Sequence, residues 1–267
     1  MLWKTSELIN VFQDTQLIIE NDPVLLRKTG ESSQNTRQYP EGFVSQRKTV
    51  KSDSCHIICL EGTSFACAKR FADGKDNIAV LNFANPFEPG GGVCRGSRAQ
   101  EECLCRCSNL YNTIRTPEME ASYYDHHNAD RHNYLFSDRI IYSPRIVVFK
   151  DDSTYERLSD PFIVDVITCA APYNVFGNDI ELLKSTYRKR LTNIFEVASE
   201  NDVDVLILGA FGCGVFHNPP ELMANAFKEL IEQEYYKYFK TICFPLIKSG
   251  ISRNFEIFEQ ILAEIRL

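Results

Sequence analysis

The chain has 267 residues, 44% of them hydrophobic and 12% aromatic, enough for one large domain with a substantial core. Its net charge of −7 excludes a broad cationic footprint for duplex nucleic acid, so any phosphate must be bound by local backbone amides and a few arginines. The opening residues, MLWKTSELINVFQDTQ, lack the uninterrupted apolar stretch of a signal peptide, and no apolar run reaches the roughly eighteen residues that a bilayer span needs. The ten cysteines lie mostly inside apolar runs, as at Cys59, Cys169 and Cys243. They read as small buried hydrophobes of a reducing compartment, the cytoplasm, or the nucleus in a eukaryote.

In chain order, Leu8, Ile9, Phe12, Leu17 and Ile18 are spaced for an amphipathic helix over 5–20. Residues 28–55 are polar and turn-rich and predict a long surface excursion. A strand at 56–60 precedes a helix that Thr63 or Ser64 can cap and that runs to 72. The run at 80–83 is a strand. Residues 85–92 form a loop ending in Gly90, Gly91 and Gly92, and 99–111 a helix opening with Gln100, Glu101 and Glu102. Residues 117–139, polar and with three histidines, predict a lid-like insertion. Strands at 145–149 and 162–168, a loop at 169–178, a long helix at 180–200 and a strand at 203–208 follow. Asn218 ahead of Pro219 and Pro220 is a helix-start signature, and that helix runs to about 235. A strand at 239–244 and a helix at 252–265 complete the chain. The alternation predicts an α/β domain with a central, largely parallel sheet. Residues 1–55 are expected to be an N-terminal helical extension and loop of that domain, and 56–267 its main body.

Two glycine-rich loops each follow an apolar strand and lead to a helix, the place where open α/β sheets bind ligands. One holds Gly90, Gly91 and Gly92; the other holds Gly209, Ala210, Phe211, Gly212, Cys213, Gly214 and Val215. Two such loops suggest a diphosphate clamped from both sides by backbone amides, with Arg95, Arg98, Arg106 and Arg115 nearby. Neither loop matches GxGxxG at a first βα turn or the GK[ST] of a P-loop, which disfavours an ordinary NAD dehydrogenase or an ATPase. Glu101 and Glu102 diverge by about 100° around a helix, so they do not flank a bond as the two acids of an ordinary glycosidase do. A division of labour follows: one transfers protons and needs a raised pKa, and the other holds ligand hydroxyls or orients its neighbour.

The segment LNFANPFEPGGGVCRGSRAQEECLCRCSNLY resembles the signature of bacterial-type (microbial) poly(ADP-ribose) glycohydrolases, a GGG loop followed after a short spacer by QEE. LGAFGCGVFHNPPELMANAF is similar to the second ligand loop of that family, and VITCAAPYN also resembles it, so the likeness spans roughly 56–245. The resemblance implies a macrodomain-like three-layer α/β/α fold with a mixed, largely parallel central sheet. It implies an exo-type hydrolase of ribose–ribose O-glycosidic bonds in poly(ADP-ribose), with ADP-ribose as product, and neither cofactor nor metal. Glu102 matches the acid/base and Glu101 the glutamate that positions the ribose. Asn85 matches an asparagine that hydrogen-bonds ribose hydroxyls. Gly90, Gly91, Gly92 and Gln100 belong to the first ligand block. Gly209, Ala210, Phe211, Gly212, Cys213, Gly214 and Val215 form the second diphosphate loop, and Phe216 is the aromatic that packs on the ligand. Val93 and Cys94 depart from the bulkier residues expected after the glycines. Two other readings stay open: removal of mono-ADP-ribose from a protein or nucleic acid, and a reader that binds ADP-ribose without hydrolysis.

Other motifs have blander readings. Cys103, Cys105 and Cys107 alternate in a helix and point three ways, unlike zinc ligands. His126, His127 and His132 read as part of a solvated loop, the aromatic run at 235–239 as core, and Tyr123 and Tyr124 as possible residues of the site mouth.

Overall fold

The computed structural model describes residues 3–174, 179–248 and 252–267. The end of the loop expected at 169–178 therefore lies outside the described residues. Seven strands form one sheet: β1 (Arg37–Tyr39), β2 (His56–Glu61), β3 (Ile78–Phe83), β4 (Ile140–Lys150), β5 (Arg157–Cys169), β6 (Val205–Ile207) and β7 (Thr241–Leu246). Their spatial order is β1-β4-β5-β3-β6-β7-β2. The β5–β3, β3–β6, β6–β7 and β7–β2 pairs are parallel; β1–β4 and β4–β5 are antiparallel. The helices are α1 (Thr5–Asn21), α2 (Pro23–Asn35), α3 (Ser64–Lys69), α4 (Gln100–Cys107), α5 (Leu110–Ile114), α6 (Pro117–Met119), α7 (Asp125–Ala129), α8 (Ile180–Glu200), α9 (Pro220–Gln233) and α10 (Asn254–Leu262). Among the described residues no helix is long and apolar enough to cross a membrane.

Strand periodicity builds three layers. Ala79 and Leu81 of β3 pack with Leu191 of α8, Phe227 of α9 and Phe258 of α10. Their neighbours Ile78 and Val80 face the other way, onto Phe65 of α3, Leu104 of α4 and Ile114 of α5. A strand buried on both faces explains why β3 reads as an unbroken apolar run. After β3 the chain moves out to β4 and β5 on one side, then crosses to β6 on the other. β3 is thus the switch point, and the crevice at its carboxyl end is where ligands bind in open α/β sheets.

Several boundaries differ from the sequence reading. The stretch at 28–55 is not all excursion: α2 occupies its first part and β1 follows. Asp22 caps α2 by accepting from the amides of Val24 and Leu25, both at 3.1 Å, with Pro23 in the first turn. On α1 the buried face is Leu8, Phe12, Thr15 and Ile19, while Leu17 is exposed. The helix expected over 99–111 is two helices, because Ser108 turns extended after α4. Asn218 does not cap α9. Pro219 stands at that position, and the buried Asn218 side chain donates to the carbonyls of Pro172, Gly212 and Phe216.

The expected lid at 117–139 is the largest correction. Residues 117–129 are helical throughout: α6, a π-type turn over Glu120–Tyr124, then α7. Met119, Tyr123, Tyr124 and His127 form its buried stripe, so the two tyrosines lie in the core rather than at a mouth, and His127 is not solvated. His127 Nδ1 lies 2.8 Å from the Tyr123 carbonyl, and Nε2 accepts from the Ser137 amide at 3.2 Å. This fits a neutral imidazole that carries its proton on Nδ1. Burial pushes the His127 pKa down to about 4.

A lowered folded-state pKa gives stability that is present above the ordinary value near 6.5 and is lost as pH falls through about 4. His127→Gln removes that dependence. The gap in melting temperature between wild type and variant is therefore expected to narrow from pH 7 to pH 4 in calorimetry; a constant gap would contradict a buried neutral imidazole.

Candidate active site

The three loops that follow β3, β5 and β6 emerge side by side, since β5–β3 and β3–β6 are adjacent parallel pairs. The first carries residues 84–92 and delivers the chain to α4, whose first turn holds Glu101 and Glu102. Both glutamates are buried, at 2% and 7% exposure. Glu101 Oε1 accepts from Asn82 Nδ2 at 3.1 Å and Oε2 accepts from the Asn85 amide at 2.7 Å. Glu102 Oε1 accepts from the Gly92 amide at 2.9 Å, while its Oε2 is buried without a partner among the described residues. The helix N-terminus adds a favourable dipole to both. Desolvation, with the charge of Glu102 adding a smaller push, raises the Glu101 pKa to about 8. The raised pKa expected of the proton-transferring acid is thus found on the glutamate that the resemblance assigns to positioning the ribose.

The glycines are required by the glutamates. Gly90 and Gly91 have φ of +69° and +55°. A Cβ on Gly91 would lie 2.7 Å from Glu102 Oε1 and 3.1 Å from Glu101 Oε2. A Cβ on Gly90 would lie 2.7 Å from the Tyr111 ring. The amides of this loop are used by the protein itself: Gly92 donates to the Glu102 carboxylate, Gly90 lies against that of Glu101, and Gly91 donates to the Glu88 backbone carbonyl. A diphosphate clamped from both sides by free amides is therefore not what the geometry offers.

The second loop is different. Among the described residues, the amides of Ala210, Gly212, Gly214, Val215 and Phe216 donate to no protein acceptor. Gly212 has φ of +79°, and a Cβ there would meet Tyr187 Oη at 2.5 Å. Gly209 has φ of +107° and sits close to Phe83 and the Pro245 carbonyl. Phe211 is buried with its ring 5.6 Å from that of Phe83, whereas Val215 is exposed. Cys213 is half-buried, and desolvation pushes its thiol up to about 12, which disfavours the thiolate. Phe216 packs against Phe136 at 6.0 Å and Tyr173 at 5.5 Å.

The remaining predicted residues have structural work. Gln100 turns its amide to the sheet: Oε1 accepts from the Phe83 amide at 2.8 Å, and Nε2 donates to the Leu81 carbonyl at 2.7 Å and to Ser64 Oγ at 3.1 Å. Asn85 Oδ1 accepts from the amides of Phe87 and Glu88 and closes a turn, which leaves its Nδ2 for another partner. The arginines near the first loop are engaged elsewhere. Arg95 pairs with Glu88, Arg98 donates to the Trp3 carbonyl, Arg106 is buried, and Arg115 lies over the Tyr111 ring.

Sequence reasoning missed Asn82, Phe87 and Phe136. Asn82 is fully buried and bridges Glu101 and Thr168. A lone polar residue in the apolar run of β3 was its available signal. Phe87 and Phe136 stack edge-on at 5.6 Å and, with Phe216, join the two glycine loops. Asn128 of α7 donates to the Phe87 carbonyl at 2.9 Å, so the helical insertion forms a wall of the site.

A folded-state pKa raised from about 4.5 to about 8 stabilises fully below the lower value, and that stabilisation is lost as pH rises through the higher one. Glu101→Gln should therefore gain melting temperature relative to wild type from pH 5 to pH 9. A gap independent of pH would show that Glu101 is charged throughout.

Comparison with known proteins places this geometry. A family model described as the catalytic domain of microbial-type PARG matches residues 6–151, more than half of the chain and including α1 and α2. The crystal structure of poly(ADP-ribose) glycohydrolase (PARG) from Thermomonospora curvata is 26% identical at a TM-score of 0.84, over 96% of this chain and 99% of that one. The same protein bound to the inhibitor ADP-HPD is 27% identical at a TM-score of 0.82, over 96% and 99%. The Deinococcus radiodurans PARG in complex with ADP-ribose is 32% identical at a TM-score of 0.80, over 90% of this chain and 98% of that one. No curated protein matches. The fold is that of these macrodomain-like enzymes, and the chain belongs to the microbial-type poly(ADP-ribose) glycohydrolase family.

Proposed function

We propose that this protein hydrolyses the ribose–ribose O-glycosidic bonds of poly(ADP-ribose) from chain ends and releases ADP-ribose. The observation that carries this reading is the pair of buried glutamates locked to a glycine loop, with one oxygen, Glu102 Oε2, left without a partner among the described residues. The neighbours crystallised with ADP-ribose and with ADP-HPD support the ligand.

In this reading Glu102, protonated, gives its proton to the leaving ribose oxygen as the glycosidic C–O bond breaks. The remaining ribose carries oxocarbenium character. The Glu102 carboxylate then takes a proton from the water that attacks the anomeric carbon, which completes the hydroxyl and restores the acid. Glu101 positions the ribose, the role the resemblance assigns it, held in place by Asn82 and the Asn85 amide. The diphosphate lies on the open amides of the second loop, at Ala210, Gly212, Gly214 and Val215. Phe216 packs on the ligand, Asn85 Nδ2 meets ribose hydroxyls, and Gly90, Gly91 and Gly92 line the ribose side. Phe211, Cys213 and Gly209 shape the second loop, and Gln100 holds α4 in place. The ten free cysteines, six of them buried, support a reducing compartment such as the cytoplasm.

The twin acids favour an enzyme over a reader, since burying carboxylates costs several kcal/mol that a pure binding module gains nothing from. Automodified polymer and singly modified protein, assayed side by side, separate the two hydrolytic readings. Release of ADP-ribose only from the latter would overturn the polymer assignment.

Glu102→Gln should lower kcat on polymer by about 10²–10⁴-fold, with ADP-ribose binding by calorimetry largely preserved; near-normal turnover would refute the role given to Glu102. Gly91→Ala forces a side chain into the left-handed region, at about 1–2 kcal/mol, and displaces both carboxylates. It should fold with a lowered melting temperature and lose most of its turnover, and unchanged kcat would exclude the proposed carboxylate geometry.

A further inference from the structure

Arg106 stands on α4 one helical turn after Glu102, on the same face. It is fully buried, yet among the described residues it pairs with no carboxylate. An apolar side chain of similar volume would fill that space without desolvating a charge. The guanidinium is instead directed at two carbonyls. Nε donates to Leu8 of α1 at 3.3 Å, and Nη2 donates to Ser97, in the turn after the triple glycine. The Ser97 amide donates to the Gly92 carbonyl at 3.1 Å, and the Gly92 amide donates to Glu102 Oε1 at 2.9 Å. The bonds close a ring: Glu102, Gly92, Ser97, Arg106, and back along one turn of α4. Its far side is anchored, because the Thr15 hydroxyl donates to the Arg106 carbonyl and accepts from Lys150 Nζ at 2.8 Å.

We propose that Arg106 is a positioning residue for the hydrolytic reaction: it fixes the 93–97 turn, the turn fixes the Gly92 amide, and that amide determines which Glu102 oxygen faces the substrate. The inference rests on the hydrolase reading above. With Oε1 held, Oε2 is the oxygen that meets the glycosidic bond and the attacking water. Without the guanidinium the turn relaxes, the carboxyl rotates, and fewer complexes have the acid in line. Ligand affinity is little affected, because the open amides that take the diphosphate lie on the other loop. Lysine is not a substitute, since a single ammonium cannot span both carbonyls in one plane as a guanidinium does.

The test uses the full chain with purified polymer. Arg106→Lys and Arg106→Ala should lower kcat by about 10- to 100-fold, as expected for a small misplacement of a catalytic group, while KM stays within about threefold of wild type. Millimolar guanidinium chloride should restore part of the kcat of Arg106→Ala and leave wild type unchanged. Leu262→Ala on α10, remote from the site, serves as a control that lowers melting temperature without lowering kcat. If Arg106→Ala is recovered unfolded, Arg106→Lys alone decides. Wild-type kcat in the arginine variants, or losses that follow melting temperature as in Leu262→Ala with no guanidinium rescue, would overturn the proposal. Absence of ADP-ribose release by wild type would instead refute the hydrolase reading.

Discussion

The hydrogen bond from the Gly92 amide to Glu102 Oε1, at 2.9 Å, is the contact around which this end of the molecule is arranged. Two adjacent carboxylates at a helix start would ordinarily sit in solvent. Here both are buried, and burial of a carboxylate is tolerated only where donors replace water. Backbone amides of residues 85–92 supply most of those donors. They reach the carboxylates only where the loop has no side chains, which is why a Cβ at Gly91 would overlap both acids. The triple glycine is thus a consequence of the glutamates that follow it, as much as of the ligand.

The sheet provides the rigidity this contact needs. β3 is central, is paired in parallel on both sides and is packed on both faces, so its carboxyl end moves little relative to β5 and β6. Gln100 ties the first residue of α4 to the Leu81 carbonyl and the Phe83 amide. Asn82, one position away, meets Glu101 from the strand itself. Strand and helix therefore grip the acid pair from both sides of the loop, and the precision comes from secondary structure rather than from the loop alone.

The glycine loops, the twin acids and the strand–helix alternation were legible because each leaves a local mark: composition, adjacency, or a run of one hydrophobic period. What escaped depends on contacts distant in sequence. Asp22 and Pro23 start α2, but the helix interior is polar and holds Gly30, so its burial against β4 carried no local signature. The helical insertion at 117–129 did carry one, since Met119, Tyr123, Tyr124 and His127 follow helical spacing. The surrounding charges obscured it. Ser108 ends α4 because its backbone bridges to Val148 of β4, a tertiary demand invisible at that position. Asn218 was read by its neighbours, two prolines, when its role is to tie three carbonyls across two loops.

The two glycine loops look alike in sequence and do opposite things. In the first, the amides face inward to carboxylates; in the second, five amides face no protein acceptor among the described residues. An anion brought to this crevice meets carboxyl oxygens, which are acceptors, on one side and open donors on the other, which favours one orientation. The arginines near the first loop, engaged with Glu88, with backbone carbonyls or over an aromatic ring, do not blur that asymmetry. On the proposed reading a chain with a net charge of −7 holds a diphosphate without a cationic patch, because partial charges on a short loop act at contact range, where screening by salt is weakest. On the proposed reading the same polarity sets the chemistry: the phosphates lie away from the acids, and the ribose end comes within reach of Glu102.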